Sequence, residues 1–408
     1  MNKTLTTSLE WIDARYPLTK MWNQHLAQYY APKNFNTWYY FGSLALIVLI
    51  IQIITGIFLA VNYKPDAELA FASVEYIMRD IEYGWLIRYM HAIGASFFFI
   101  IIYLHMFRAL IYGSYKKPRE LLWIIGVLIY LCLMAEAFLG YLLPWGQMSY
   151  WGAQVIISLF GAIPYIGEDI AVWVRGDYVI SDTTLNRFFA YHVVLVPLIL
   201  LALAVVHIIA LHEVGSNNPD GIEIKKNKDP ETGIPKDGIP FHPYYTVKDI
   251  VGIAVFLIIF SLVIFYAPEM GGYFLEKNNF FPADPMKTPE HIEPLWYFTP
   301  FYAILRAVPD KFLGVVAMGA AIMVLFFLPW LDRSSVKSIR YKGWIFKSAL
   351  ALFVISFFAL GYLGMQPPTP TKTLFAQIFS LIYFAFFLLM PWYSKWDKTK
   401  PEPERVTD

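Results

Sequence analysis

Residues 85–112 read WLIRYMHAIGASFFFIIIYLHMFRALIY. The run is long enough to cross a bilayer, because about 20 apolar residues in a helix span the hydrocarbon. It nevertheless carries His91, His105, Arg88 and Arg108. Ionisable side chains at membrane depth are costly and point to function. His91 and His105 are 14 positions apart. In a helix that spacing puts them within ~40° on one face and ~21 Å apart along the axis. A second apolar run, about 184–212, repeats the pattern with His192 and His207, 15 positions apart. Those two lie within ~60° on one face and ~22 Å apart.

The rest of the chain supports the membrane reading. Of 408 residues, 58% are hydrophobic and only 15% charged, against ~25% charged in a soluble domain. Six further apolar runs, about 39–62, 122–143, 247–267, 311–331, 344–364 and 373–392, make eight candidate spans. Helices are the expected form, since backbone polar groups find no water in the bilayer core. Aromatics crowd several span ends (Trp38, Tyr39, Tyr40, Trp85, Trp392, Tyr393), as interfacial belts do. The first 37 residues are mixed and charged, with no pattern of a removable signal peptide. A net charge of +1 suggests no nucleic-acid partner. The one cysteine, Cys132, argues against disulfides and cysteine-ligated clusters. No Cys-x-x-Cys-His occurs, so any haem is held non-covalently.

About two-thirds of the 32 Lys and Arg residues fall on one side of the eight crossings, Lys116, Lys117, Lys225, Lys226, Arg333 and Lys337 among them. The positive-inside rule makes that side, with both termini, cytoplasmic. The second and fourth spans then run parallel. His91 levels with His192, and His105 with His207. Two facing imidazole pairs at two depths are what two bis-histidine haems require, and filled axial positions favour electron transfer over oxygen chemistry. The first and third spans repeat the spacing in glycine: Gly42 and Gly56, Gly126 and Gly140, each 14 apart. Missing side chains there leave room for flat macrocycles, although glycine also serves close helix contact. Arg88 and Arg108 suit haem propionates. Pro197 and the one-residue excess between His192 and His207 predict a kink or π-bulge near 193–198. Two rival readings are a di-haem quinone-reactive subunit of a dehydrogenase or hydrogenase, and a proton-coupled transporter using intramembrane His and Glu, which predicts no visible absorbance.

Several stretches resemble cytochrome b of the ubiquinol–cytochrome c reductase (cytochrome bc) complex, proteobacterial type, over roughly residues 35–395. They are Arg88-Tyr89-Met90-His91, Gly140-Tyr141-Leu142-Leu143-Pro144-Trp145-Gly146-Gln147-Met148-Ser149, Arg187-Phe188-Phe189-Ala190-Tyr191-His192, His212-Glu213-Val214-Gly215-Ser216-Asn217-Asn218-Pro219 and Phe241-His242-Pro243-Tyr244-Tyr245. The fold expected is an all-α membrane protein of eight transmembrane helices. The first four would form a di-haem four-helix bundle (39–213). A connector (214–246) and a four-helix region with the quinol-site loop (247–393) come next, between cytoplasmic ends 1–38 and 394–408. The resemblance implies two haem b groups, ubiquinol oxidised near the positive side and quinone reduced near the negative side. It also implies a Rieske iron–sulfur protein and cytochrome c1 as partners, a homodimer in lipid, and the bacterial inner membrane.

At the quinol-oxidation site the family carries Pro-Glu-Trp-Tyr, and its glutamate is thought to accept a quinol proton. This chain reads Pro294-Leu295-Trp296-Tyr297. Glu136, one turn before Gly140, is the expected substitute; Glu293 is the alternative. Tyr141, Tyr297, Tyr302, Phe138 and Phe298 are expected around the pocket. By the same resemblance, His212 and Asp249 would meet the quinone at the reduction site, assisted by Ser216, Asn217 and Lys248.

Overall fold

The computed structural model describes residues 3–23 and 29–407. Residues 1–2, 24–28 and 408, parts of the expected cytoplasmic ends, lie outside the described residues. Among the described residues, eight helices are long and apolar enough to cross a membrane. In chain order they are α1 (Tyr40–Asn62), α2 (Gly84–Tyr112), α3 (Glu120–Leu142), α4 (Asp182–Val214), α5 (Thr246–Tyr266), α6 (Lys311–Leu331), α7 (Trp344–Gly364) and α8 (Pro370–Leu388). Each expected span has its helix.

Their ends reflect local chemistry. Asp310 caps α6 by accepting from the Leu313 N–H at 2.8 Å, and Thr369 caps α8 by accepting from the Lys372 N–H. Gly113, at φ 64°, ends α2 in the left-handed region open to glycine. α8 stops four residues short of expectation because a separate helix, Met390–Trp396, starts beyond Leu389 with a proline in its first turn.

α1 packs along α2, and α3 along α4, forming the N-terminal bundle. α5 lies against α1 and α2; α6 lies against α3. α7 and α8 pair, and the short helix Thr299–Ala307 packs against α6, α7 and α8. The core runs through all of these, with Phe99, Tyr130, Tyr297, Phe346 and Phe387 nearly or wholly buried. A smaller core around Leu142, Ile157, Leu185 and Phe188 lies beneath the loop joining α3 to α4.

Two long loops meet over the bundle at one end. The Gln147 N–H donates to the Phe281 carbonyl, and the Ala283 N–H donates to that of Trp145, both at 2.9 Å. These bonds pin the α5–α6 loop to the start of the α3–α4 loop. At the other end, β1 (Tyr30–Pro32) pairs antiparallel with β2 (Gly238–Pro240).

Candidate haem and quinone sites

α2 and α4 bring the four histidines together as two pairs. The ring centres of His91 and His192 are 6.1 Å apart, and those of His105 and His207 are 6.5 Å apart. Two nitrogen–metal bonds of about 2 Å, plus about 1.2 Å from each Nε2 to its ring centre, give about 6.4 Å between imidazoles that share one iron. Each ring turns its Nδ1–Cε1 edge to a glycine: His105 to Gly42, His91 to Gly56, His207 to Gly126 and His192 to Gly140. A Cβ on any of these glycines would meet the imidazole first. The glycines thus make room for the ligand rings, a closer contact than the open space for a macrocycle that spacing alone suggested.

Two of the Nδ1 atoms have defined partners. His91 Nδ1 lies 2.9 Å from Thr55 Oγ1, and His192 Nδ1 lies 3.0 Å from the Glu136 carbonyl. The Glu136 carboxylate joins this contact, with Oε1 also 3.0 Å from His192 Nδ1. Its Oε2 is buried with no hydrogen-bond partner among the described residues. Arg108 places its guanidinium 4.9 Å above the Tyr39 ring and leaves its buried Nε unbonded among the described residues. An orphaned guanidinium N–H beside the His105–His207 pair fits an anionic group such as a haem propionate. The residues present therefore fit haem at both levels.

The His91–His192 pair opens into a cavity of about 670 Å³, lined also by Arg88, Glu136, Gly140 and Tyr141. The α5–α6 loop closes it with Glu276, Asn279, Leu295 and Tyr297. Tyr297 is almost wholly buried, stacked on Phe99 with ring centres 3.8 Å apart. Its carbonyl accepts from the Tyr103 hydroxyl at 2.5 Å.

Three aromatics expected on the pocket wall do not line this cavity. Tyr302 lies under the Arg306 guanidinium at 4.5 Å, Phe138 packs edge-on against Phe188, and Phe298 packs edge-on against Tyr297. Glu293 does not line it either: its carboxylate pairs with His291 at 3.5 Å, and partial burial raises its pKa. Glu276 was not anticipated. It caps the turn Lys277–Phe280 by accepting from the Asn279 N–H, and burial pushes its carboxyl above the usual range. An acid in a long loop carries no mark in sequence that it will be folded inward.

At the opposite end, His212 stacks on Tyr29, ring centres 4.6 Å apart, and the Tyr29 hydroxyl lies 3.1 Å from Ser216 Oγ. Asp249, on α5, accepts from the Ser43 hydroxyl of α1 at 2.8 Å. Lys248 sits 5.2 Å from the Tyr245 ring centre. Asn217 is buried and donates to the Tyr112 carbonyl at 2.8 Å, tying its loop to the end of α2. Tyr29 and Ser43 reach these residues from far away in sequence, so spacing could not reveal them.

Comparison with known proteins agrees with this architecture. The family model described as cytochrome b/b6/petB matches residues 26–215, and that for the C-terminal cytochrome b/b6/petD region matches residues 282–384. Cytochrome b of Allochromatium vinosum is 66% identical, with 100% of both chains covered. A protein named cytochrome b/c1 from Bradyrhizobium diazoefficiens is 46% identical over 98% of this chain and 57% of its own length. A solved structure titled hyperthermophilic respiratory Complex III matches at 42% identity and a TM-score of 0.87, covering 95% of this chain and 98% of that one. With matches of this extent and paired imidazoles inside an eight-helix membrane fold, the chain belongs to the cytochrome b/b6 family, as a cytochrome b of the respiratory complex III type.

Proposed function

We propose that this protein is the haem-b electron-transfer subunit of a ubiquinol–cytochrome c oxidoreductase in the bacterial inner membrane, with both termini cytoplasmic. The observation that carries the reading is the pair of imidazole spacings, 6.1 and 6.5 Å, each beside a glycine on the neighbouring helix. His91 with His192, and His105 with His207, would each hold one haem b. The bound haems would supply a two-step electron path across the membrane.

The chain's own residues arrange the rest. Ubiquinol enters the cavity between Tyr141, Leu295 and Tyr297. Its oxidation to quinone releases two electrons and two protons. One electron would leave to a Rieske iron–sulfur protein and on to cytochrome c1, and the other would pass to the haem that His91 and His192 would hold; the relative named cytochrome b/c1 supports the link to cytochrome c1. Glu136 lines the cavity with an unbonded carboxylate oxygen and accepts one quinol proton. Arg88 and Arg108 neutralise propionates at the two levels. At the cytoplasmic end, His212 and Asp249 face the quinone being reduced, and Ser216 and Lys248 assist. Asn217 acts there by holding the chain at the end of α2. A homodimer in lipid would cover the exposed apolar face of α4, which includes Val194, Leu198, Val205 and Ile209.

A reduced-minus-oxidised spectrum of the purified complex tests the reading. Two b-type haems per chain are expected, falling to one in His91→Leu and one in His105→Leu. A preparation without visible absorbance that still passes electrons from quinol to cytochrome c would overturn it.

A further inference from the structure

We infer that Glu136 is a positioning residue for the haem held by His192: its carboxylate stands against the Nδ1 edge of the imidazole and lowers that haem's potential. The inference rests on reading His192 as a haem ligand. It adds a second role to a side chain already proposed to accept a quinol proton.

Three observations carry it. Glu136 Oε1 lies 3.0 Å from His192 Nδ1, close enough for its charge to act directly on the ring. The Nδ1–H itself donates to the Glu136 backbone carbonyl at 3.0 Å, so one residue both takes that proton and sets a carboxylate beside it. Among the described residues, the other three imidazoles have no carboxylate beside them: His91 faces a hydroxyl, and the Nδ1–Cε1 edges of His105 and His207 face glycines. The chain therefore treats one of four ligands differently.

The chemistry has a fixed sign. An acceptor on a ligand's outer N–H orients the ring and makes the ligand more basic, and a carboxylate beside that N–H adds a negative charge. Greater donation and a nearby negative charge both stabilise ferric over ferrous iron. One-electron reduction at that level therefore becomes harder, while the His105–His207 level is untouched. This widens the potential gap between the levels in the direction that drives an electron from His91–His192 towards His105–His207.

Potentiometric titration of the purified complex provides the test, with Glu136→Gln and Glu136→Ala beside the unmutated protein. Gln keeps the shape and loses the charge; Ala removes the contact entirely. Each variant should shift one haem's oxidised-to-reduced equilibrium at least tenfold towards reduced, a rise of 59 mV for one electron, and leave the other haem within threefold. Selective loss of one haem with the other retained also supports the role, because the carboxylate then holds the ligand in place. Both haems retained, with both potentials within threefold of the original, overturns it. If neither variant assembles, pulsed EPR of the unmutated ferric protein decides. One haem should show a ligand nitrogen with stronger imidazolate character than any in the other haem, and equal character in both overturns the inference. Slower quinol oxidation without a potential shift would retain only the proton-acceptor role; a potential shift at unchanged turnover would retain only the tuning role. Absence of haem from the unmutated protein would sink the haem reading itself.

Discussion

Thr55 holds His91 through a bond whose direction is determined. Its hydroxyl donates to the Ile51 carbonyl at 2.6 Å, so Oγ1 is left to accept from His91 Nδ1–H. That tautomer leaves Nε2 unprotonated, as a metal ligand requires. Thr55→Val removes the acceptor at nearly constant volume. We expect about 10–100-fold weaker retention of one haem, measured by transfer to an apo-haem acceptor protein. The glycines give a sharper contrast. A Cβ at Gly42 would sit 3.4 Å from His105 Cε1, an ordinary contact, whereas one at Gly140 would overlap the His192 ring. Gly42→Ala should keep both haems; Gly140→Ala should lose the His91–His192 haem while the other stays, read as halved b-type absorbance. The histidines and glycines were legible because helical spacing relates residues within one span. Glu276 and Tyr29 were not, because their neighbours come from other segments. Because Glu276 lines the same cavity, we expect it to help take up quinol protons: Glu276→Gln should slow quinol oxidation several-fold with both haems retained, and an unchanged rate would exclude that role.

The fourth helix shows what an element does to keep two distant histidines on one face. Its histidines are 15 positions apart and those of α2 only 14. The extra residue is taken up in a π-helical turn at Tyr191–Leu195, closed by the Val196 N–H donating to the Tyr191 carbonyl. This turn overlaps the irregularity expected at 193–198 and begins two residues earlier, at the histidine's own neighbour. Pro197 comes just after it and has no N–H to continue the ladder, so the wider turn costs less there than in an uninterrupted helix. A π turn absorbs one residue without rotating the helix beyond it, leaving His207 on the same face as His192. Deleting Val194, which is more than half exposed, should therefore preserve both haems only when Pro197→Ala is made with it, since a regular helix cannot hold that proline. Inserting one residue between His91 and His105 in α2, which has no such turn to absorb it, should turn one histidine by ~100° and lose one haem. A haem count by pyridine haemochrome distinguishes the three variants.

At the scale of the whole molecule, the two halves are joined at the end that carries the C-terminal tail by buried charge. Asp332, just beyond α6, accepts from Lys342 at 2.6 Å and from the Tyr115 hydroxyl at 2.6 Å, with Lys116 at 3.5 Å. Arg119, before α3, pairs through both arms with Glu223 of the α4–α5 connector, which Lys337 also contacts. Asp220 takes Arg340, Tyr341 and the Thr407 backbone, so the C-terminal tail closes over the same face. The basic residues that set orientation in the sequence are thus partly consumed in folding, which their count could not show. Burial alone would raise these three acids, but their partners outweigh it and hold Asp332, Glu223 and Asp220 below their usual values. An acid depressed in the folded state contributes stability above its unfolded pKa and loses it as pH falls through the folded one. The clamp should be level from pH 7 to 5 and weaken below about pH 4. Asp332→Ala goes further, because it removes the buried carboxylate that Lys342 and Lys116 share. Stranding a buried ion in this way costs about 3–5 kcal/mol. We expect a lower midpoint in thermal unfolding of the solubilised complex and faster proteolysis of the α6–α7 loop. The haem spectrum should be unchanged before unfolding, because the clamp lies outside the haem-bearing bundle. A variant that melts with the original, or one whose haem spectrum changes first, would show that the halves are held by their apolar contact instead.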